Sequence, residues 1–431
     1  MNLRTTIVLS LFVTVLPTAK ARADDEYDRP PINYRTAKLD DPIARLQAKL
    51  DSGQTHLERD PRHGYLNALL KALKIPISSQ TLVFSKTSFQ ARLISPQHPR
   101  AVYFSDDAYV GFVQGSDTLE VASTDPQLGT VFYTFNQMQG ERPRFVRQTD
   151  NCLQCHESAL TRNVPGLVIR SVFPDRTGQP VLTAGTYITT HQSPFARRWG
   201  GWYVSGIHGN QRHMGNAMLS SDDPDALDRD SASNVTELDK LFDTAPYLAP
   251  HSDIVALMVL GHQAEAHNLI ERANYLARIT LRDEAALNEA LKEHPTGHSA
   301  STLSRIRHAG EPLVKYMLFS GEPALTEPVE GSSGFTSEFP TKGPRDHLGR
   351  SLRDFDLQTR LFKYPCSYLI YSEGFDALPD DVRLYVYERL WAVLTGKDTS
   401  EDFAHLTPES RKAISEILVE TKKGLPAYWA K

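Results

Sequence analysis

Two textures divide the chain. Between residues 81 and 209, short runs of β-branched and aromatic residues alternate with clusters of Gly, Pro, Asp and Ser, the pattern of short strands joined by turns. Strands are expected over 81–84, 101–104, 109–113, 118–121, 130–135, 167–173 and 202–206, with a further short one at 145–148, and an antiparallel meander joins them most simply. From residue 252 onward apolar positions recur at helical spacing instead. Ser252 or Asp253 is placed to cap a long helix reaching about Ile279, and residues 299–319 suggest a helix or two. Helices resume near Ser351, Pro379 and Pro408, the last stopping before Gly424. Two short helices precede the strands. One is opened by Asp41-Pro42 and runs to about Leu50; the other is opened by Asp60-Pro61 and carries Leu66, Leu69, Leu70 and Leu73 on one face. The pattern predicts an α+β fold, an antiparallel strand-rich region followed by a mainly helical C-terminal region.

Residues 221–251, dense in Asp, Ser and Pro, read as an acidic connecting loop with one short helix near 236–242. The expected division is a lead-in with short helices (24–80), a strand-rich region (81–220), that loop, and a helical region (252–431). Ahead of these, residues 1–23 have the layout of a secretory signal: Arg4, an apolar core from Ile7 to Leu16, and Ala21-Arg22-Ala23 as the cleavage motif. That core is shorter than the roughly 20 residues a spanning helix needs, and no later segment looks long and apolar enough. The expected location is the periplasm or the exterior, with no membrane span after cleavage.

Charge narrows the function classes. The 431 residues carry 47 basic and 52 acidic side chains, a net charge of −5, and no basic run, which argues against a nucleic-acid partner.

The chemistry is concentrated in one place. Two of the three cysteines stand in Cys152-Leu153-Gln154-Cys155-His156, a C-x-x-C-H sequence. Two thiols at this spacing can add across the two vinyl groups of a haem, and the adjoining imidazole is delivered to one face of the iron. Two other chemistries share these residues. A C-x-x-C pair is also a dithiol redox centre, whose first thiolate attacks a disulfide and whose second resolves it, and residues 145–148 supply the strand such a centre follows. Zinc needs four ligands, and no second C-x-x-C or H-x-x-x-H accompanies this one.

The motif resembles that of the c-type cytochromes. The resemblance implies one covalent haem c, with Cys152 and Cys155 as thioether donors and His156 as the proximal iron ligand. It covers the motif and its immediate flanks. A small class I cytochrome is all helical and carries its motif near the start, whereas 151 residues and several strands come first here. The whole chain is more similar to a group of large secreted bacterial proteins described only as cytochrome c domain-containing.

The second axial ligand is to be sought downstream. Residues 208–218 hold His208, His213, Met214 and Met218; a methionine sulfur gives a relatively high potential and a second imidazole a lower one. Each has an ordinary alternative, the histidines as hydrogen-bonded loop residues and the methionines as core filler. His262, one turn beyond Met258 on the expected long helix, is a further candidate. His267 diverges from it by about 140 degrees around the helix, so the pair does not chelate one ion. Arg197 and Arg198, inside the aromatic stretch 194–203, and Arg212 are candidates to pair with haem propionates, the alternative being solvated arginines. Cys366 is either a reactive thiol or a buried apolar side chain.

Three functions follow. The first is an exported monohaem c-type cytochrome that passes single electrons to a redox partner protein, after maturation by haem-attachment machinery. The second is a periplasmic haem enzyme with an open distal position, acting on a peroxide or nitrogen oxide with His208, His213 or His262 as acid or base. The chain's length favours it over a small carrier. The third is a haem-based sensor, for which no signalling segment is recognisable.

Overall fold

The structure, a computed structural model, describes residues 26–138, 143–221 and 223–430. The signal-like residues 1–23 lie outside them.

Asp41 caps helix α1 (Pro42–Asp51), accepting from the Ile43 and Ala44 N–H groups at 2.8 and 3.2 Å. The same buried carboxylate accepts from Ser123 and Tyr133, which ties the cap to the sheet. Helix α2 (Leu66–Ala72) starts later than its sequence signal. Asp60 accepts instead from the backbone of Arg62 and His63 and bridges to Gly64, so the Asp60-Pro61 step makes a tight turn and the helix begins beyond it.

Six strands follow: β1 (Thr81–Val83), β2 (Arg100–Phe104), β3 (Ala108–Phe112), β4 (Thr118–Asp125), β5 (Gly129–Asn136) and β6 (Phe145–Arg147). After the short helix α3 (Leu153–His156) come the pair β7 (Arg170–Val172) and β8 (Thr186–Ile188), then β9 (Trp202–Tyr203) and β10 (Gly206–Ile207). A seven-stranded antiparallel sheet forms in the order β6-β5-β4-β3-β2-β1-β9. Two expected strands are shorter than their apolar runs. Within 167–173, the peptide groups of Leu167 bond to the side chain of Asn268 and leave the ladder. The run 202–206 breaks at Val204, whose N–H and C=O are both taken by Asn216.

Asp253, not Ser252, caps the long helix α4 (Ile254–Leu291), accepting from Val255 and Ala256. The Ser252 hydroxyl donates to the Tyr203 carbonyl. At 38 residues, α4 extends twelve beyond the expected end, through good helix formers such as Arg, Glu, Ala and Leu, with Glu284 accepting from the Ser299 N–H at 2.7 Å. Its first half is buried on every side. Gln263 shows why: its amide donates to Tyr109 of β3 at 2.6 Å and its carbonyl accepts from Tyr368 on the opposite side at 2.5 Å. The far layer contains α5 (Ala300–Met317), β11 (Glu330–Gly331, paired with β10), α6 (Phe335–Glu338), α7 (Glu373–Asp376), α8 (Asp380–Leu394) and α9 (Pro408–Thr421). No helix forms at Ser351, because Asp354 and Asp356 accept the local backbone N–H groups in turns. Among the described residues of the acidic loop only single 3₁₀ turns appear, at Pro224–Ala226 and Leu238–Lys240.

The architecture is α+β, as the residue pattern predicts, and one buried apolar cluster runs from Ile32 to Trp429 through both halves. Cys366 is buried in it, its thiol pushed up to about 12 by desolvation. Among the described residues no helix is long and apolar enough to cross a membrane.

Candidate haem-attachment site

Strand β6 leads into the C-x-x-C-H turn, and Arg35 holds that approach by bonding to the Thr149 carbonyl at 2.5 Å and the Asp150 carboxylate at 2.9 Å. Leu153 is buried and roots α3 in the core. The helix is one turn, with the His156 N–H donating to the Cys152 carbonyl at 3.0 Å. Residues three apart on a helical turn share a face, so Cys152 and Cys155 lie side by side. Both are free thiols; Cys155 is exposed and Cys152 half-buried.

Gly166 clamps His156 twice. Its N–H donates to the His156 carbonyl at 2.8 Å, and its own carbonyl accepts from ring Nδ1 at 2.9 Å. A carbonyl only accepts, so Nδ1 carries the hydrogen and the neutral ring keeps a lone pair at Nε2. The ring rests on Phe132, centroids 4.7 Å apart, and makes no second hydrogen bond among the described residues. Burial holds its pKa below the ordinary histidine value, with the Gly166 carbonyl opposing, so it is neutral at pH 7. Gly166 is held in turn by helix α4, where Asn268 accepts from Leu167 N–H and donates to Leu167 C=O, both at 2.8 Å. A Cβ on Gly166 would stand 2.3 Å from Asn268 Oδ1, so only glycine permits this approach.

The sheet completes the surroundings. Tyr109, Ala122 and Phe132 pair across β3, β4 and β5 and face α4; Gly111, Glu120 and Thr134 form the next row of the same face. Glu120 forms an ion pair with Arg100 of β2 and accepts from Gln90 at 3.1 Å. Burial, then Glu120, then Cys155 push the Cys152 thiol up to about 11. This is opposite to a dithiol redox centre, whose attacking cysteine is lowered.

Most of the downstream candidates are buried or already partnered. A residue lining space for a porphyrin borders a gap far wider than a water molecule and so has accessible surface. Met214 and His262 are 0% exposed, His208 and His213 1%. His208 donates from Nδ1 to the Gln211 carbonyl and accepts at Nε2 from the Asn234 N–H. His213 accepts at Nδ1 from the Gly215 N–H, which puts its hydrogen on the unpartnered, buried Nε2. The two nitrogens of His262 bond to His191 Nδ1 and Ser367 Oγ, each at 2.8 Å. Met214 packs in a small separate cluster, its sulfur 3.6 Å from Ser171 Oγ. None of the three histidines offers a free lone pair, and none of the four residues borders an opening. Met218 keeps some accessible surface and packs against the main core. The arginines have other partners as well. Arg198 is buried and donates to the Ser193 and His191 carbonyls, Arg197 is exposed over the Tyr187 ring, and Arg212 pairs with Asp230 at 2.6 Å.

The structure thus adds Arg100, Glu120, Gly166 and Asn268, which the sequence alone did not single out. Gly166 had a faint cue, a Pro165-Gly166 turn step just after the motif. Among the described residues no three His, Cys, Asp or Glu side chains gather into an ion site. A porphyrin supplies four nitrogens of its own, so two free thiols and one imidazole with a free Nε2 are what this chain has to contribute, and they fit. Comparison with protein-family models, curated proteins and solved structures finds no match for this chain.

Proposed function

We propose that the protein is an exported monohaem c-type haem protein, with Cys152 and Cys155 as thioether donors and His156 as proximal ligand. The observation carrying this reading is the His156 ring, fixed by Gly166 as the Nδ1–H tautomer with Nε2 free, beside two free thiols on one helical face. When bound, the haem supplies one-electron iron chemistry. The chain's part is to hold the imidazole, through Gly166 and Asn268, and to keep one side of the site dry, through Phe132 and Leu153.

Within this class, burial of Met214, His208, His213 and His262 leaves Met218 as the one partly exposed downstream candidate, and so favours an exchangeable sixth position, with small-molecule chemistry or sensing, over simple electron carriage. Protein matured with a haem-attachment system should bind carbon monoxide in the reduced state and show high-spin ferric iron. A low-spin six-coordinate spectrum indifferent to carbon monoxide would restore the carrier reading, in which single electrons pass to a redox partner protein.

A further inference from the structure

The sheet register sets a charged pair next to the attachment turn. Phe132, which the His156 ring touches, pairs with Ala122; Glu120, two residues along β4, points to the same face and pairs with Thr134. Glu120 is therefore the diagonal neighbour of the residue under the imidazole. Arg100 reaches it across Gly111, the one position in that row with no side chain to intervene; a Cβ there would touch Glu120 Cβ at 3.4 Å and Arg100 Cδ at 3.6 Å. Each side chain is about one-fifth exposed, and Arg100 Nε is buried without a partner. Beyond them the face opens, with Val146 half-exposed at the edge of the sheet.

We infer that Arg100 and Glu120 are the charged pair that tunes the reduction potential of the group bound at Cys152, Cys155 and His156. The inference rests on the haem reading. Reduction by an external one-electron donor lowers the positive charge of the iron centre by one, with no bond made or broken. An anion nearby favours the oxidised form and a cation the reduced form. The two residues then pull in opposite directions, and their pairing keeps the net field small.

The test is a potentiometric titration, with redox mediators, of the haem-loaded wild type and of E120Q, R100Q, R100K and the double variant R100Q/E120Q. E120Q should raise the midpoint potential and R100Q lower it. R100K should stay near the wild type, and the double variant should fall between the single ones. Thermal melts identify any variant that has lost its fold, and the double variant, which strands no charge, keeps the comparison usable. Equal potentials in all variants, or shifts of E120Q and R100Q in the same direction, overturn the inference. Absence of covalent haem from the wild type overturns the reading beneath it instead.

Discussion

Two regions of this molecule carry candidate iron-ligating histidines, and they differ in what the ring nitrogens are free to do. At the C-x-x-C-H turn one imidazole is half-buried, fixed at Nδ1 by a carbonyl and free at Nε2. Around α4 and the 208–218 loop, His191, His208, His213 and His262 are packed at 0–2% exposure against aromatic rings, His191 stacked on Tyr316 at 4.0 Å and on Phe319 at 4.5 Å, His208 tilted against Phe195 and His213 edge-on to Trp199. Density of ligand-type residues in sequence marks the second region more strongly. A free lone pair beside accessible space marks only the first. The turn offers chemistry, and the cluster offers packing.

The largest expected effect breaks this comparison outright if it fails. Substituting Cys152 and Cys155 together by serine should abolish covalent haem, and His156→Met should change the iron's axial spectrum. His208→Asn, His213→Gln, His262→Gln and Met214→Leu should each leave that spectrum as it is. A change at any of the four would place the distal ligand in the cluster.

The second prediction is acid lability arising in the cluster. Burial depresses His213 and His262 from 6.5 to about 3, His208 adding to the first and His267 to the second. Between those values the unfolded chain binds protons the folded chain refuses, so stability is full above pH 6.5 and falls as the pH drops toward 3. The slope is about 1.4 kcal/mol per pH unit for each histidine. Urea melts across this range should show it, with a shallower slope in His213→Gln or His262→Gln; an unchanged slope would mean the rings are not buried neutral.

Third, Gly166→Ala drives a Cβ against Asn268 Oδ1 and should cost about 1–3 kcal/mol in thermal or urea melts while loosening His156. Asn268→Ala should restore room for that methyl, so the two changes together should cost less than their sum. Last and smallest, Arg197→Ala, at an exposed side chain over Tyr187, should change stability by no more than about 0.5 kcal/mol and leave haem attachment intact.

Much of this was legible in the sequence for local reasons. Alternating β-branched runs predicted β1 to β6, Asp41 and Asp253 announced their helices by cap chemistry, and C-x-x-C-H declared itself by spacing. What stayed hidden is long-range. The carbonyl that orients His156 is 10 residues away, its Asn268 support lies 101 residues beyond Leu167, and Arg100 meets Glu120 across Gly111 of the strand between them. Similar competition explains the elements that moved: Asn216 captures Val204 and ends β9, and Asp60 captures its own neighbours and delays α2. In each case a side chain took backbone groups that periodicity alone assigns to a ladder or a helix.

Haem attachment at Cys152 and Cys155 is tested most directly by the intact mass of the denatured protein after maturation with a haem-attachment system, before and after acidic acetone extraction. Covalent attachment predicts a gain of one haem that survives extraction and maps to the peptide containing Cys152 and Cys155. A chain at its apoprotein mass, or one lighter by two hydrogens through a Cys152–Cys155 disulfide, would contradict it and return the turn to dithiol chemistry.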